Sequence, residues 1–154
     1  DEIQKLPFAA FFDRLRAFLG SPDTLLLTCG FSFFDAHVSA VIDEALAANP
    51  AASVFAFQYG TMEKEIRAAA LALKRPNMSV YARDGAFINC VPGPWKLGPG
   101  LGSDWESIRT SFWGKASENA ADIFLLGDFT KFARFFALTR AEDVRKIEDT
   151  NLQE

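Results

Sequence analysis

The chain has 154 residues, 49% of them apolar and 16 of them phenylalanine, which is material for one packed domain with a single core. Its formal net charge is -4 and no stretch gathers Lys and Arg beyond ordinary amphipathic faces, which argues against direct nucleic-acid binding. No apolar run reaches the roughly 18 residues of a spanning helix and no signal peptide opens the sequence, so the chain reads as cytoplasmic and without a membrane partner. Cys29 and Cys90 lie in apolar runs without a C-x-x-C partner, a pattern of buried free thiols rather than of a disulfide or a zinc site. The opening Asp1-Glu2-Ile3-Gln4-Lys5-Leu6-Pro7 reads as the lead into a helix from a preceding segment, so a longer parent protein is expected.

Pro7 suits a first helical turn, and Phe8, Phe11, Phe12, Leu15, Phe18 and Leu19 recur at helical spacing until Gly20. Thr24 to Cys29 is a short apolar run without alternation, the mark of a strand buried on both faces of a parallel sheet, and Gly30 stops it. From Asp35 the period becomes helical. Val38, Val41, Ile42, Ala45 and Leu46 form one face, and Asn49-Pro50 ends the helix.

Ser53 to Tyr59 repeats the buried-strand pattern, and Met62, Ile66, Ala69, Ala70 and Leu73 mark a further amphipathic helix ending before Pro76. The unit is β-α-β-α. Met78 to Ala82 and Ala86 to Val91 flank Arg83-Asp84-Gly85, a turn with the glycine at an expected positive φ, so the two runs are expected to form a hairpin or one strand continuing through a sharp bend. Residues 92–118, rich in Pro, Gly and Trp, lose periodicity until a short helix over Ser107 to Trp113, and such a segment reads as a lid, docking loop or interface. Trp95, Trp105 and Trp113 lie there, with an interface or lid as open as core packing. Asp122 to Leu126 is a last apolar strand, and Asp128 caps a helix expected to turn Phe129, Phe132, Ala133 and Phe136 inward. Residues 140–154 are charged, an extension of that helix or a frayed end.

In an open α/β sheet, ligands bind beyond the carboxyl ends of the strands, where loops converge and helix N-termini present N–H groups. The Gly30-Phe31-Ser32-Phe33-Phe34-Asp35 stretch holds that place. Gly30 permits close backbone approach, and Ser32 offers a hydroxyl to a phosphate or ribose oxygen; the other reading is a tight connection in which Ser32 bonds only to backbone. Asp35 is the expected N-cap. His37, the chain's one histidine, then falls in the first helical turn, where the helix dipole disfavours the imidazolium, and its role is structural or substrate-orienting. The Gly98 to Ser103 run lacks a leading strand, and Pro99 removes one N–H, so it is set aside as a phosphate loop.

Leu25-Leu26-Leu27-Thr28-Cys29-Gly30-Phe31-Ser32-Phe33 resembles the sirtuin family, whose buried strand ends in a Gly-Thr-Ser turn that contacts NAD. The stretch from Gly30 to Val38 is most similar to the sirtuin-like domains of bacterial anti-phage defence, and Arg83 to Ile88 and Leu125 to Phe129 look like that branch too. The resemblance implies an α/β, Rossmann-like (sirtuin-like) three-layer parallel sheet with helices on both faces. It implies NAD as substrate, contacts to it from Gly30, Phe31, Ser32, Asp35, His37, Gln58 and Tyr59, and no metal. In the intact protein it implies an NAD+ glycohydrolase that depletes NAD in defence, within a homo-oligomer and in some systems beside a HerA-type ATPase.

The family's catalytic Asn and His precede the matched strand, and neither is matched here; His37 follows the glycine turn. Residues 1–154 are therefore expected to be the C-terminal part of the NAD domain and inactive alone. Phe31 replaces the family's threonine, Gln58-Tyr59 stand near where those enzymes present an Asn to the adenosine ribose, and two cysteines cannot build a four-cysteine zinc module. Two other readings stay open: a non-catalytic oligomerisation or interaction subunit of a defence complex, and an unrelated small phosphosugar or nucleotide binder.

Overall fold

A short apolar run followed by an amphipathic helix and a second such run can close only as parallel strands with a crossover, and the chain does this twice. In the computed structural model, which describes residues 2–96, 98, 106–115 and 121–151, helix α1 (Glu2–Gly20) leads into β1 (Leu25–Cys29), α2 (Ala36–Ala48), β2 (Ser53–Phe57), α3 (Ile66–Lys74) and β3 (Met78–Tyr81). Then follow β4 (Gly85–Ile88), β5 (Val91–Pro94), α4 (Glu106–Phe112), β6 (Trp113–Lys115), β7 (Asp122–Phe124) and α5 (Phe129–Asn151). The main sheet has five strands in the order β1-β2-β3-β4-β5.

Its first three strands are parallel, whereas β4 and β5 run antiparallel to their neighbours. This corrects the expected all-parallel sheet: the fold is mixed α/β. The physical reason is connection length, since Ala82 to Asp84 is too short for a crossover and can make only a hairpin. Strand β7 is a second correction, because it pairs antiparallel with β6 in a separate two-stranded sheet. Within the stretch 92–118 the expected short helix is α4, and the part expected to be irregular also contains most of β5 and, after α4, β6. Pro92 and Pro94 hid β5 from a sequence reading, and an edge strand is where a sheet accepts proline.

Side-chain alternation divides the sheet into two unlike faces. Val54, Ala56, Met78 and Val80 are fully buried against Leu19 of α1, Ile42 and Leu46 of α2, and Ala68 and Ala72 of α3. The register puts Phe57 and Tyr81 on the opposite face. There they meet Phe124 of β7 at ring separations of 5.9 Å each, and Phe132 of α5 lies 5.5 Å from Phe57. Helices α1 to α3 therefore cover one face, and the β6–β7 hairpin with α5 covers the other.

Several inward faces differ from the expected ones. On α3 it is Ala68, Ala69 and Ala72 that are buried, while Ile66 and Leu73 are exposed. Small side chains let this helix lie close on β3 and β4. On α1, Phe11 and Phe18 are exposed and Leu19 is buried. On α5, Phe129, Ala133 and Phe136 are exposed, and the half-buried apolar residues are Phe132, Phe135 and Leu138 among the described ones. Trp95 and Trp113 belong to the aromatic layer, 5.4 Å and 6.3 Å from the Phe124 ring, so packing answers the question left open for them. Trp105 lies outside the described residues, as does the Gly98 to Ser103 run apart from Gly98.

Gly85 has no positive φ; it opens β4, where a Cβ would collide with Met62 Sδ and the Gly93 carbonyl. The left-handed residues of this region are Asn89 and Cys90, φ 50° and 63°, which form the two-residue turn between β4 and β5. Cys90 is thus at a hairpin tip and half-buried, not in a buried run, and Cys29 is half-buried as well; both are free thiols.

At the amino ends of the strands, Asp43 of α2 accepts hydrogen bonds of 2.6 Å from both Lys74 and Arg75 at the end of α3. Burial alone would raise the Asp43 carboxyl, but hydrogen bonds from Arg75 and Lys74 outweigh it and hold the group below the usual carboxylate range. A lowered carboxyl stabilises the fold above its unfolded pKa, and that contribution is lost as pH falls through the folded value. Asp43→Asn should cost about 1 kcal/mol at pH 7, after allowance for the exposed lysine. In urea titrations the deficit should shrink toward zero below about pH 4.

Candidate functional site

The carboxyl ends of β1, β2 and β3 converge with the turn before α5, and glycine makes the convergence possible. Gly30 leaves β1 at φ +64°, a left-handed conformation that glycine adopts without penalty, while its N–H still donates to the Phe57 carbonyl at 2.8 Å. Phe33, three residues on, is also left-handed at φ 54° and is 2% exposed. Its strain of about 1–2 kcal/mol is offset by the ~1.5–3 kcal/mol of burying such a ring. The turn is closed by Ser39 Oγ donating to the Phe33 carbonyl at 3.1 Å and by Arg67, which donates to the Phe34 carbonyl and stacks 3.6 Å over its ring.

Gln58, 1% exposed, is the centre of the arrangement. Its backbone N–H donates to Tyr81 O at 2.9 Å, and its side-chain Nε2 donates to Phe31 O at 2.9 Å, tying the β1–α2 turn to the end of β2. Its carbonyl lies so close to Gly127 that any Cβ there would collide with it. Between these parts is a crevice of about 90 Å³ whose walls include Gln58, Tyr59, Arg83, Gly127, Asp128 and Lys131. Asp128 caps α5, its Oδ1 accepting from the N–H groups of Thr130 at 2.8 Å and Lys131 at 3.4 Å. Arg83 and Lys131 form no ion pair among the described residues.

Beside the crevice, the Cys29 thiol donates to Leu126 O at 3.2 Å, and burial, then the negative charge of Asp128, raises it above the ordinary thiol value. A thiol so held is a protonated donor, not a nucleophile. A wider depression of about 470 Å³ lies at the opposite end of the sheet, around Arg75 and Asn77. Its polar groups are committed: Arg75 to Asp43, and the Asn77 amide to the carbonyls of Leu46, Asn49 and Ala52. Among the described residues no group of three or more His, Cys, Asp and Glu side chains could hold a metal ion, and no helix is long and apolar enough to cross a membrane.

Of the residues expected from the sequence, Gly30 and Phe31 meet Gln58 and Tyr59 at this end of the sheet. Asp35 is the N-cap of α2, accepting from the N–H groups of His37 at 2.9 Å and Val38 at 3.1 Å. Ser32 is exposed and its hydroxyl makes no hydrogen bond among the described residues, so the reading in which it bonds only to backbone does not describe it. His37 is exposed, with its ring 6.2 Å from that of Phe12 on α1, and it is not part of the crevice wall. Arg83, Gly127 and Lys131 were not singled out as binding residues by the sequence. The legible signal was Gly127-Asp128 directly before a helical pattern; the partnership with Arg83 had none.

Ligand sites for drug-sized molecules occupy ≈ 300–1,000 Å³, so at about 90 Å³ this crevice is smaller than such a site. The chain matches no protein-family model and no curated protein. Gln58→Leu should leave the Phe31 carbonyl unpaired and cost about 1–3 kcal/mol in chemical denaturation. Gly127→Ala should cost a similar ~1–3 kcal/mol through the collision with Gln58, and a neutral result for both would remove this contact as the organiser of the site.

Proposed function

We propose that this chain supplies the NAD-binding carboxyl edge of a sirtuin-like NAD+ glycohydrolase that depletes NAD in anti-phage defence, within a Rossmann-like three-layer domain of a cytoplasmic protein. The observation that carries the reading is the Gly30 turn. It leaves a parallel strand in the left-handed conformation, leads into α2, and leaves the Ser32 hydroxyl exposed and without a hydrogen-bond partner among the described residues. The parallel β1-β2-β3 unit supports the Rossmann-like form, and the sequence resemblance around Gly30 supports the chemistry.

In this reading Gly30 lets the backbone approach the dinucleotide, Ser32 donates to a phosphate or ribose oxygen, and Phe31, Gln58 and Tyr59 line the adenosine side. Asp35 and His37 brace the start of α2. None of these residues is assigned the breaking of the nicotinamide–ribose bond, which needs an oxocarbenium-like centre stabilised and a water activated. Those roles are assigned to an Asn and a His of the parent protein, upstream of β1.

A specific observation favours a second reading, a non-catalytic oligomerisation subunit. Strand β1 is an edge of the main sheet among the described residues. Gly30 N–H donates to Phe57 O, and Ser53 N–H to Thr24 O. Parallel pairing therefore turns the backbone groups of Leu25, Leu27 and Cys29 away from β2 toward the open side. An apolar edge without Lys or Pro is a template for another strand.

Nicotinamide release from NAD+, measured for this chain and for a longer parent protein, separates the two. Release by the parent alone is the expected result, with Ser32→Ala in the parent weakening turnover by the ~0.5–1.5 kcal/mol of one neutral hydrogen bond. Absence of release from both, with concentration-dependent self-association by sedimentation, would select the second reading.

A further inference from the structure

We infer that the crevice between the end of β2, Arg83 and the first turn of α5 takes a phosphate group, as inorganic phosphate or as the phosphate monoester of a small molecule. The inference stands whether or not a dinucleotide is cleaved by the parent protein. Its first support is size. About 90 Å³ is room for one tetrahedral oxyanion, and the crevice is open enough for an attached group to lie outside it.

Charge is the second support. Arg83 and Lys131 enter the wall from different elements, and neither has an ion-pair partner among the described residues, although the Asp128 carboxylate shares the same wall. The contrast is with Asp43, which gathers both Lys74 and Arg75 at 2.6 Å. Asp128 instead caps the helix, its Oδ1 accepting from the backbone N–H groups of Thr130 and Lys131. Two cations against one carboxylate leave the crevice wall net positive, with the ammonium and guanidinium in no ion pair among the described residues.

The third support is the backbone. The crevice lies at the N-terminus of α5, a helix of 23 residues whose dipole adds positive potential there. Gly127, bare of a side chain, keeps the turn pressed on Gln58 and fixes the wall. A guanidinium fork and an ammonium in the wall of one crevice suit a group with several equivalent oxygens, which is phosphate chemistry more than carboxylate chemistry.

The test is calorimetric titration of the full chain with inorganic phosphate and with ribose 5-phosphate, at ionic strength held constant by chloride. Saturable binding is expected, weakened tenfold or more by Arg83→Gln and by Lys131→Gln, and unchanged by Arg134→Gln, an exposed cation on the same helix. The structural bonds of Arg83 are made by its backbone, to Gly60 O and from Phe124 N–H, so Arg83→Gln should retain the wild-type circular dichroism. Tighter binding of ribose 5-phosphate identifies a sugar-linked monoester as the source, and equal binding identifies the free ion; both support the site. No saturable binding of either probe, or binding indifferent to both substitutions in folded protein, overturns it.

Discussion

The buried amide of Gln58 is the constraint on which the upper end of this molecule depends. An amide at 1% exposure must find partners, because a polar group taken out of water without a hydrogen bond costs about 1–3 kcal/mol. The Gln58 side chain donates to the Phe31 carbonyl and holds the β1–α2 turn, while its backbone N–H donates to Tyr81 O at the end of β3. Its backbone carbonyl forms the floor on which Gly127 rests. Four separate pieces of chain, from β1, β2, β3 and the turn before α5, are thereby held in one register.

The two faces of the sheet achieve stability by different means, and this difference positions the site. One face packs small and branched residues, with alanines on α3 allowing the helix to approach closely. The other is an aromatic layer of Phe57, Tyr81, Trp95, Trp113, Phe124 and Phe132, bulky and only half-buried. Those rings carry β7 and the start of α5 over the carboxyl ends of the parallel strands. Trp95 contributes a polar anchor as well, its Nε1 donating to Ala82 O at 2.9 Å beside Arg83.

Chemically, the crevice wall offers donors and positive charge from Arg83 and Lys131. The Cys29 thiol beside it is raised above its ordinary value by burial and by Asp128, and Asp128 caps α5. Such a wall suits an anionic ligand group, which is what the proposed NAD-binding role and the inferred phosphate crevice have in common.

Local periodicity was enough to read the β-α-β-α opening, the Asp35 cap, the stop at Gly30 and the buried face of α2, because each depends on neighbours within a few residues. The same reasoning misassigned what depends on partners far away. The hairpin at Ala82 to Asp84 was legible in the sequence, but Pro92 and Pro94 concealed the edge strand β5 beyond it. The inward faces of α3 and α5 were misread because a long apolar side chain and a small one are equally compatible with helical spacing. Which of them goes inside is set by the gap to the sheet. The sequence by itself determined the strand–turn–helix that presents Gly30 and Ser32; only the tertiary structure decided that Gln58, Arg83, Gly127 and Lys131 share one crevice. Hydrogen bonding and close packing between segments tens of residues apart leave no periodic trace in the chain that makes them.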